Sequence, residues 1–216
     1  MTENARHPGA AAFPPIYLVR HGQTSWNREG RLQGQRDAPL TQLGTEHARA
    51  AGRRLRDELG SADDFRIFSS PLGRCRQTLD LIVEVTEWSH PEPTFDERLM
   101  EIAFGRWEGL SVADIQQCDG VEWAARDADK WHYVAPGGES YQDVAVRLGD
   151  WLGDQQGETP VVIVCHGAAG AVLRGLYLGM QPAQIMTLDK PQGVVIRLRG
   201  GREEKLQGIG LVGAHS

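Results

Sequence analysis

Cysteine is scarce in this chain. Cys75, Cys118 and Cys165 are the only three in 216 residues. An odd number at wide spacing argues against a disulfide framework and makes a reducing, cytoplasmic setting the expectation. There is no Cys-x-x-Cys pair and no His-Glu-x-x-His, so zinc has no evident ligand set. No apolar run approaches the ~20 residues that span a bilayer. Positive charge is also short: 23 Lys and Arg stand against 29 Asp and Glu, a formal net charge of −6. No broad basic field therefore favours nucleic acid or an anionic membrane, and an anion site would have to be a local cluster of arginines. Repeats, low-complexity tracts and linkers are absent, so residues 16–216 read as one domain. The first 15 residues hold Pro8, Gly9, Pro14 and Pro15 with both signs of charge. They lack an apolar signal core and read as a flexible leader.

What the chain does have is a repeated junction. Ile16-Tyr17-Leu18-Val19 runs into Arg20-His21-Gly22, and Val161-Val162-Ile163-Val164-Cys165 runs into His166-Gly167. Short β-branched runs predict buried strands. Ligands of open α/β sheets bind outside the carboxyl ends of such strands. Two imidazoles at two such ends can face one ligand, and Arg20 marks it as an anion, a phosphoryl group above all.

Strands and amphipathic helices alternate between and after these junctions. Thr41 is a predicted N-cap for a helix with Ala48, Ala51, Gly52, Leu55 and Leu59 on one face. Arg66–Ser69 is a predicted strand, and Ser70-Pro71 a predicted cap and first turn of a helix burying Leu72, Cys75, Leu79 and Ile82. Thr94-Phe95 reads as a short strand, and 99–138 as irregular with two or three helical pieces. Ser140 and Asp143 form a capping-box pattern. Val194–Leu198 and Lys205–Ile209 are the last predicted strands. This order predicts an α/β fold with a mostly parallel central sheet covered by helices on both faces.

Phosphoryl transfer to a protein nucleophile needs a lone pair at neutral pH, which an imidazole supplies. It needs fixed positive charge at the equatorial oxygens, which arginine offers as a planar fork. A proton for the leaving oxygen can come from a carboxylic acid. His21 is the candidate nucleophile, with Arg20 and Arg74 as clamps. His166 is a candidate donor, and the Gly167 amide opens a helix whose N-terminus favours anions. Glu101, flanked by apolar neighbours in sequence, is the candidate acid, with Glu108 on the same stretch as its rival. Cys165 reads as a buried strand residue. His7, His47, His90, His132 and His215 have no such context. The tryptophans read mostly as core, with Trp26, Trp107 and Trp131 as candidates for a pocket rim.

These segments together resemble the histidine phosphatase superfamily, or phosphoglycerate mutase-like family. Leu18-Val19-Arg20-His21-Gly22-Gln23-Thr24-Ser25-Trp26-Asn27 is similar to its N-terminal signature. Ser-Pro-Leu-x-Arg ending at Arg74, Glu-x-x-x-Gly-x-Trp-Glu-Gly from Glu101, Gly-Gly-Glu-Ser ending at Ser140 and the second strand with His166-Gly167 follow in family order. The resemblance spans Ile16 to Leu198. It departs at Ala103, where many relatives carry an acid, and at Ala168, where a second glycine is common. It implies a three-layer α/β/α sandwich and a phosphohistidine at His21 with no metal or other cofactor. It also implies Glu101 as general acid and later base, and Asn27 and Gln33 as phosphate or substrate ligands. The expected partner is a small phosphorylated molecule, and family habit admits a homodimer.

The leading functional expectation is therefore a metal-independent phosphomonoesterase. The alternative is a phosphoglycerate mutase using 2,3-bisphosphoglycerate. The interval from Gly109 to Gly137 is short for that role, and Arg126 is its only arginine. A catalytically idle phosphate-binding module is the third reading.

Overall fold

Strand β1 (Ile16–Arg20) lies inside a sheet whose order is β3-β2-β4-β1-β5-β6. β4 (Val161–Cys165) and β2 (Arg66–Ser69) continue it in parallel on one side, followed by the short edge strand β3 (Thr94–Phe95). β5 (Val194–Arg199) joins the other side of β1 antiparallel, and β6 (Arg202–Gln207) closes that edge as a hairpin. The computed structural model describes residues 13–60, 64–89 and 91–210. The first 12 residues of the expected leader, together with His7, His90 and His215, lie outside the described residues. Residues 13–15 pack onto the fold: Phe13 lies 5.8 Å from the Tyr177 ring, and the Pro15 carbonyl accepts the Val161 N–H at 2.8 Å.

The strand period of two splits the core in two. Ile16, Leu18, Ile163 and Ile196 face one side, against α5 (Tyr141–Gly153) and α6 (Gly167–Leu178). Tyr17, Val19, Val162, Val164 and Val195 face the other, against α2 (Gln42–Leu59) and α3 (Gly73–Thr86). The predicted three-layer sandwich is thus formed. Strand β4 is fully buried on both faces, as expected of a central parallel strand.

Two predicted caps hold and one does not. Thr41 Oγ1 accepts the Gly44 N–H, and Ser140 and Asp143 form the capping box of α5. Helix α3, however, starts at Gly73, with Leu72 in the cap position. The Asp37 carboxylate, from a distant loop, takes the N–H groups of Gly73 and Arg74 at 2.7 and 3.3 Å. That supplies a tertiary cap at the helix start, while Ser70 Oγ still accepts the Leu72 N–H at 3.3 Å just before it. Leu72 is consequently half-buried rather than core.

The irregular stretch holds the short helical pieces expected of it. After a four-residue helix, α1 (Ser25–Arg28), in the first loop, the cap helix α4 (Val112–Ala128) consists of two helical pieces joined across a kink at Asp119. The Asp119 carboxylate accepts Arg106 at 2.6 and 2.8 Å and the Trp107 indole N–H at 2.8 Å, which anchors the bend to a 3₁₀ turn at Gly105–Trp107. The final strand begins three residues earlier than the predicted Lys205, at Arg202, because the glycine turn at Gly200 and Gly201 is tight. A 3₁₀ turn at Glu97–Leu99 and one further short helix, α7 (Pro182–Ile185), complete the described elements. No helix among the described residues is long and apolar enough to cross a membrane.

Candidate active site

The carboxyl ends of β1, β2 and β4 deliver three side chains to one edge. His21 follows β1 with its N–H on the Cys165 carbonyl at 2.9 Å, and Ser70 follows β2 with its N–H on the Val164 carbonyl at 3.0 Å. His166 follows β4, and its ring meets His21 edge-on with centroids 5.3 Å apart. Gly22 lets the chain after His21 run against α2: a Cβ there would stand 2.1 Å from the Gly44 carbonyl oxygen.

Hydrogen bonds define the state of His21. Its Nδ1 lies 2.8 Å from the Gly22 carbonyl, an acceptor, so Nδ1 carries the proton. Nε2 then holds the lone pair, and Arg74 Nε donates to it at 3.2 Å. Burial, then Arg74, then Arg20 hold the His21 imidazole well below its ordinary range, so it is neutral. Burial, followed by Arg74 and His21, does the same to His166.

Arg74 is fully buried and reaches the site from the first turn of α3. Beyond His21, it donates to the carbonyls of Gly34 and Arg36 at 2.7 and 2.8 Å and to Asp37 at 2.9 Å. Arg20 donates from Nη1 to the Lys190 carbonyl at 2.5 Å, while its buried Nε has no partner among the described residues. Desolvation lowers the Arg20 pKa, with Glu101 pulling the other way. The guanidinium packs on the start of α6, where a Cβ at Gly167 would stand 3.3 Å from Arg20 Nε.

Glu101 also sits at that helix start. Its carboxylate accepts the N–H groups of Ala168 at 3.1 Å, Ala169 at 2.9 Å and Ile102 at 3.1 Å. Backbone donors, not the apolar neighbours in sequence, thus surround it. Arg147 on α5 fixes the segment behind it, donating to the carbonyls of Arg98, Met100 and Glu101 and to Glu139. Glu139, from the Gly-Gly-Glu-Ser segment, also accepts the Ala103 N–H at 2.9 Å. Glu108, the rival acid, accepts the N–H groups of Gln35 and Phe104 at 2.9 and 3.0 Å and clamps two loops together.

A cavity of about 250 Å³ opens over this edge. Arg20, His21, Asn27, Gln33, Arg74, Glu101 and Gly167 all line it, and Glu101 is its one carboxylate among the described residues. His166 is a layer deeper, with Nε2 and Ser70 Oγ sharing a hydrogen bond of 2.7 Å. Asn27 Oδ1 accepts from the Thr24 N–H and from Gln192 Nε2, both near 3 Å, which turns its NH₂ group elsewhere. Gln33 Nε2 donates to Thr24 Oγ1 at 2.5 Å. The rim is made by Phe104, Tyr141 and Leu32, not by the three tryptophans that the sequence suggested. Trp107 is wholly buried under α4, Trp26 packs beneath Arg36, and Trp131 borders a separate hollow. A larger hollow of about 500 Å³ beside β3 contains none of the expected site residues.

Sequence reasoning missed the segment 189–192. Gln192 Nε2 donates to the His21 carbonyl as well as to Asn27, each at 3.1 Å, and the Lys190 carbonyl holds Arg20. It missed Cys75 too, whose Sγ lies 3.5 Å from His166 Nε2 and whose thiol is pushed well up by burial.

A buried pair of neutral imidazoles among guanidinium groups, open to a small cavity at a sheet edge, defines an anion-handling site. Residues 16–207 match the profile of the histidine phosphatase superfamily (branch 1), and the chain belongs to that family. It is 36% identical over 178 residues to "Probable phosphoglycerate mutase GpmB" of Salmonella paratyphi C, covering 76% of this chain and 75% of that protein. It is 30% identical over 184 residues to human 6-phosphofructo-2-kinase/fructose-2,6-bisphosphatase 4, covering 85% of this chain but only 37% of that protein. Among solved structures, a mycobacterial glucosyl-3-phosphoglycerate phosphatase in complex with VO3 superposes with a TM-score of 0.71 at 29% identity, over 89% of this chain and 96% of that one. The α-ribazole phosphatase of Shigella flexneri gives a TM-score of 0.77 over 94% and 100% of the two chains, and at 24% identity it attests the fold alone.

Proposed function

We propose that this protein is a metal-independent phosphatase that hydrolyses small phosphomonoesters through a phosphohistidine at His21. The observation that carries the reading is the protonation pattern of that imidazole: Nδ1–H on the Gly22 carbonyl, Nε2 lone pair facing the cavity side of Arg74. Nε2 attacks phosphorus in line as the ester P–O bond breaks. Glu101, in its acid form, passes its proton to the leaving oxygen. Water then attacks the phosphohistidine, loses a proton to the Glu101 carboxylate, and the P–N bond breaks to return His21 and orthophosphate. Arg20, Arg74, Asn27 and the Gly167 N–H stabilise the charge spread over the equatorial oxygens, ordinarily the largest catalytic term. His166 supports His21 from behind, and Gln33 borders the substrate.

The test is phosphate release across a panel of phosphorylated metabolites with a chelator present, run on wild type and His21→Ala. We expect turnover in the first and none in the second, with the circular dichroism spectrum unchanged. An acid-labile, base-stable label on the wild-type chain identifies the intermediate. Near-normal turnover by His21→Ala would overturn the mechanism.

The mutase reading draws support from the name of the Salmonella relative. Strong isomerisation of 3-phosphoglycerate with a bisphosphoglycerate primer, and little free phosphate, would favour it.

A further inference from the structure

Among the described residues, four arginines line the cavity. Arg74 is locked by four hydrogen bonds from its guanidinium. Arg31 pairs with Glu29 at 2.8 Å, and Arg126, on α4, rests its guanidinium 4.9 Å from the Trp123 ring. Arg20 has a single hydrogen bond among the described residues, from Nη1 to the Lys190 carbonyl, and its buried Nε has no partner there. The aim of this clamp therefore depends on where the backbone of segment 189–192 stands. The same segment carries Gln192, whose amide ties His21 to Asn27.

A fifth arginine, outside the cavity, fixes that segment. Arg174 lies about two turns (10 Å) along α6 from Gly167, and its side chain is 2% exposed. Glu203 on β6 accepts from Nε and Nη2 at 2.9 and 2.7 Å. Such a two-pronged pair fixes the guanidinium plane. The remaining nitrogen, Nη1, donates to the Asp189 carbonyl. Nη2 also reaches Asp189 Oδ1 at 3.2 Å, and Lys205, again on β6, donates to Oδ2 at 2.7 Å. Residue 189 is thus bound through both its carbonyl and its carboxylate, one peptide before the carbonyl that holds Arg20.

We propose that Arg174 is a positioning residue of the anion seat: through Asp189 it sets segment 189–192, and through that segment the aim of Arg20 and Asn27. It rests on the phosphoryl seat of the reading above and deepens it. Lysine at 174 keeps the charge but cannot serve Glu203 and the Asp189 carbonyl at once, so Arg174→Lys reads geometry rather than field.

Calorimetric titration with orthophosphate reads the seat without turnover. Arg174→Lys should weaken binding by about tenfold, the scale of one misplaced charge-assisted contact. It should also raise hydrogen exchange in residues 187–193. Arg197→Met breaks the pair with Glu58 elsewhere on the sheet and controls for lost stability. It should leave both readings at the wild-type level. Asp189→Ala adds a test of sign at a half-exposed side chain. Removing an anion near a cationic seat tightens phosphate binding by Coulomb attraction alone, whereas loosening the segment weakens it. We expect weakening, by about threefold.

A folded Arg174→Lys within about twofold of wild type, or one no weaker than Arg197→Met, would overturn the positioning role. Unchanged exchange in residues 187–193 would do the same. If Arg174→Lys does not fold, Asp189→Ala decides: tighter binding overturns the role and weaker binding upholds it. The expected binding losses without phosphate release from any ester would overturn the phosphatase reading and uphold the role. Wild-type turnover with binding unchanged in the variants would overturn the role alone.

Discussion

Arg74 Nε donates to His21 Nε2 at 3.2 Å, so the proposed phosphoryl clamp already engages the lone pair of the proposed nucleophile. The rest of its fork is fixed by Gly34, Arg36 and Asp37. In the proposed mechanism, a small movement of one N–H from imidazole to phosphoryl oxygen converts the resting site into the reacting one. Lysine keeps the charge but cannot serve these partners at once. Arg74→Lys should lose about 100-fold or more in kcat with p-nitrophenyl phosphate, the usual scale for removing one preorganised donor. A loss under tenfold would mean that Arg74 acts only as a distant charge.

The depressed pKa values of His21 and His166 set the response to acid. In the unfolded chain these rings take up protons near ~6.5, whereas in the fold they stay neutral to lower pH. The unfolded state thus binds more protons below that point, and stability falls as pH falls through the weakly acidic range. Melting temperature should decline from about pH 6.5 downward. His166→Asn should flatten that decline. The acid limb of kcat/KM should lie below the ordinary histidine range, because the nucleophile remains unprotonated there. A limb centred at the ordinary value would contradict the burial argument.

Asp37 joins the stability of α3 to the chemistry of Arg74. It caps the helix and pairs with the guanidinium, although its own side chain is 41% exposed. That exposure screens the ion pair, so the cap is the larger part of its worth. Asp37→Ala should cost about 1–2 kcal/mol in urea unfolding. It should also lower kcat as Arg74 loosens. Asp37→Asn should recover most of the stability, since an amide oxygen also caps. Equal stability loss in both variants would point to the charge instead.

Gln192 ties His21 and Asn27 together with one amide. Gln192→Leu removes the bond that orients Asn27. We expect a rise of about tenfold in KM and an equal weakening of competitive inhibition by orthophosphate, one charge-assisted contact's worth. A lower melting temperature with inhibition unchanged would assign Gln192 a purely structural part.

His21 and His166 were legible because both follow parallel strands, where sequence order delivers the residue after the strand to the binding edge. Gln192 and Lys190 were not, because β5 runs antiparallel to β1 and brings the residues before the strand to the same edge. Ser70 reads as a cap by local chemistry, but Asp37 comes from a different segment, and no local pattern announces it. Helix α4 read as short pieces, and it is broken at Asp119, but the contacts of Arg106 and Trp107 that hold the break are tertiary and leave no local pattern. The Gly-Gly-Glu-Ser segment is visible as a motif, yet only the structure gives Glu139 its task of bracing the Glu101 segment through Arg147. Arg126 stood out only by its isolation between Gly109 and Gly137. That it faces the cavity follows from the placement of α4 rather than from any spacing.

The stacking of Arg126 over Trp123 has an optical consequence. A guanidinium held above an indole shifts the field that the excited ring senses. Any occupant that draws the cation aside should alter the emission of that tryptophan. The protein thus carries an intrinsic fluorophore beside its own doorway, and filling of the chamber can be followed by light without labels or turnover.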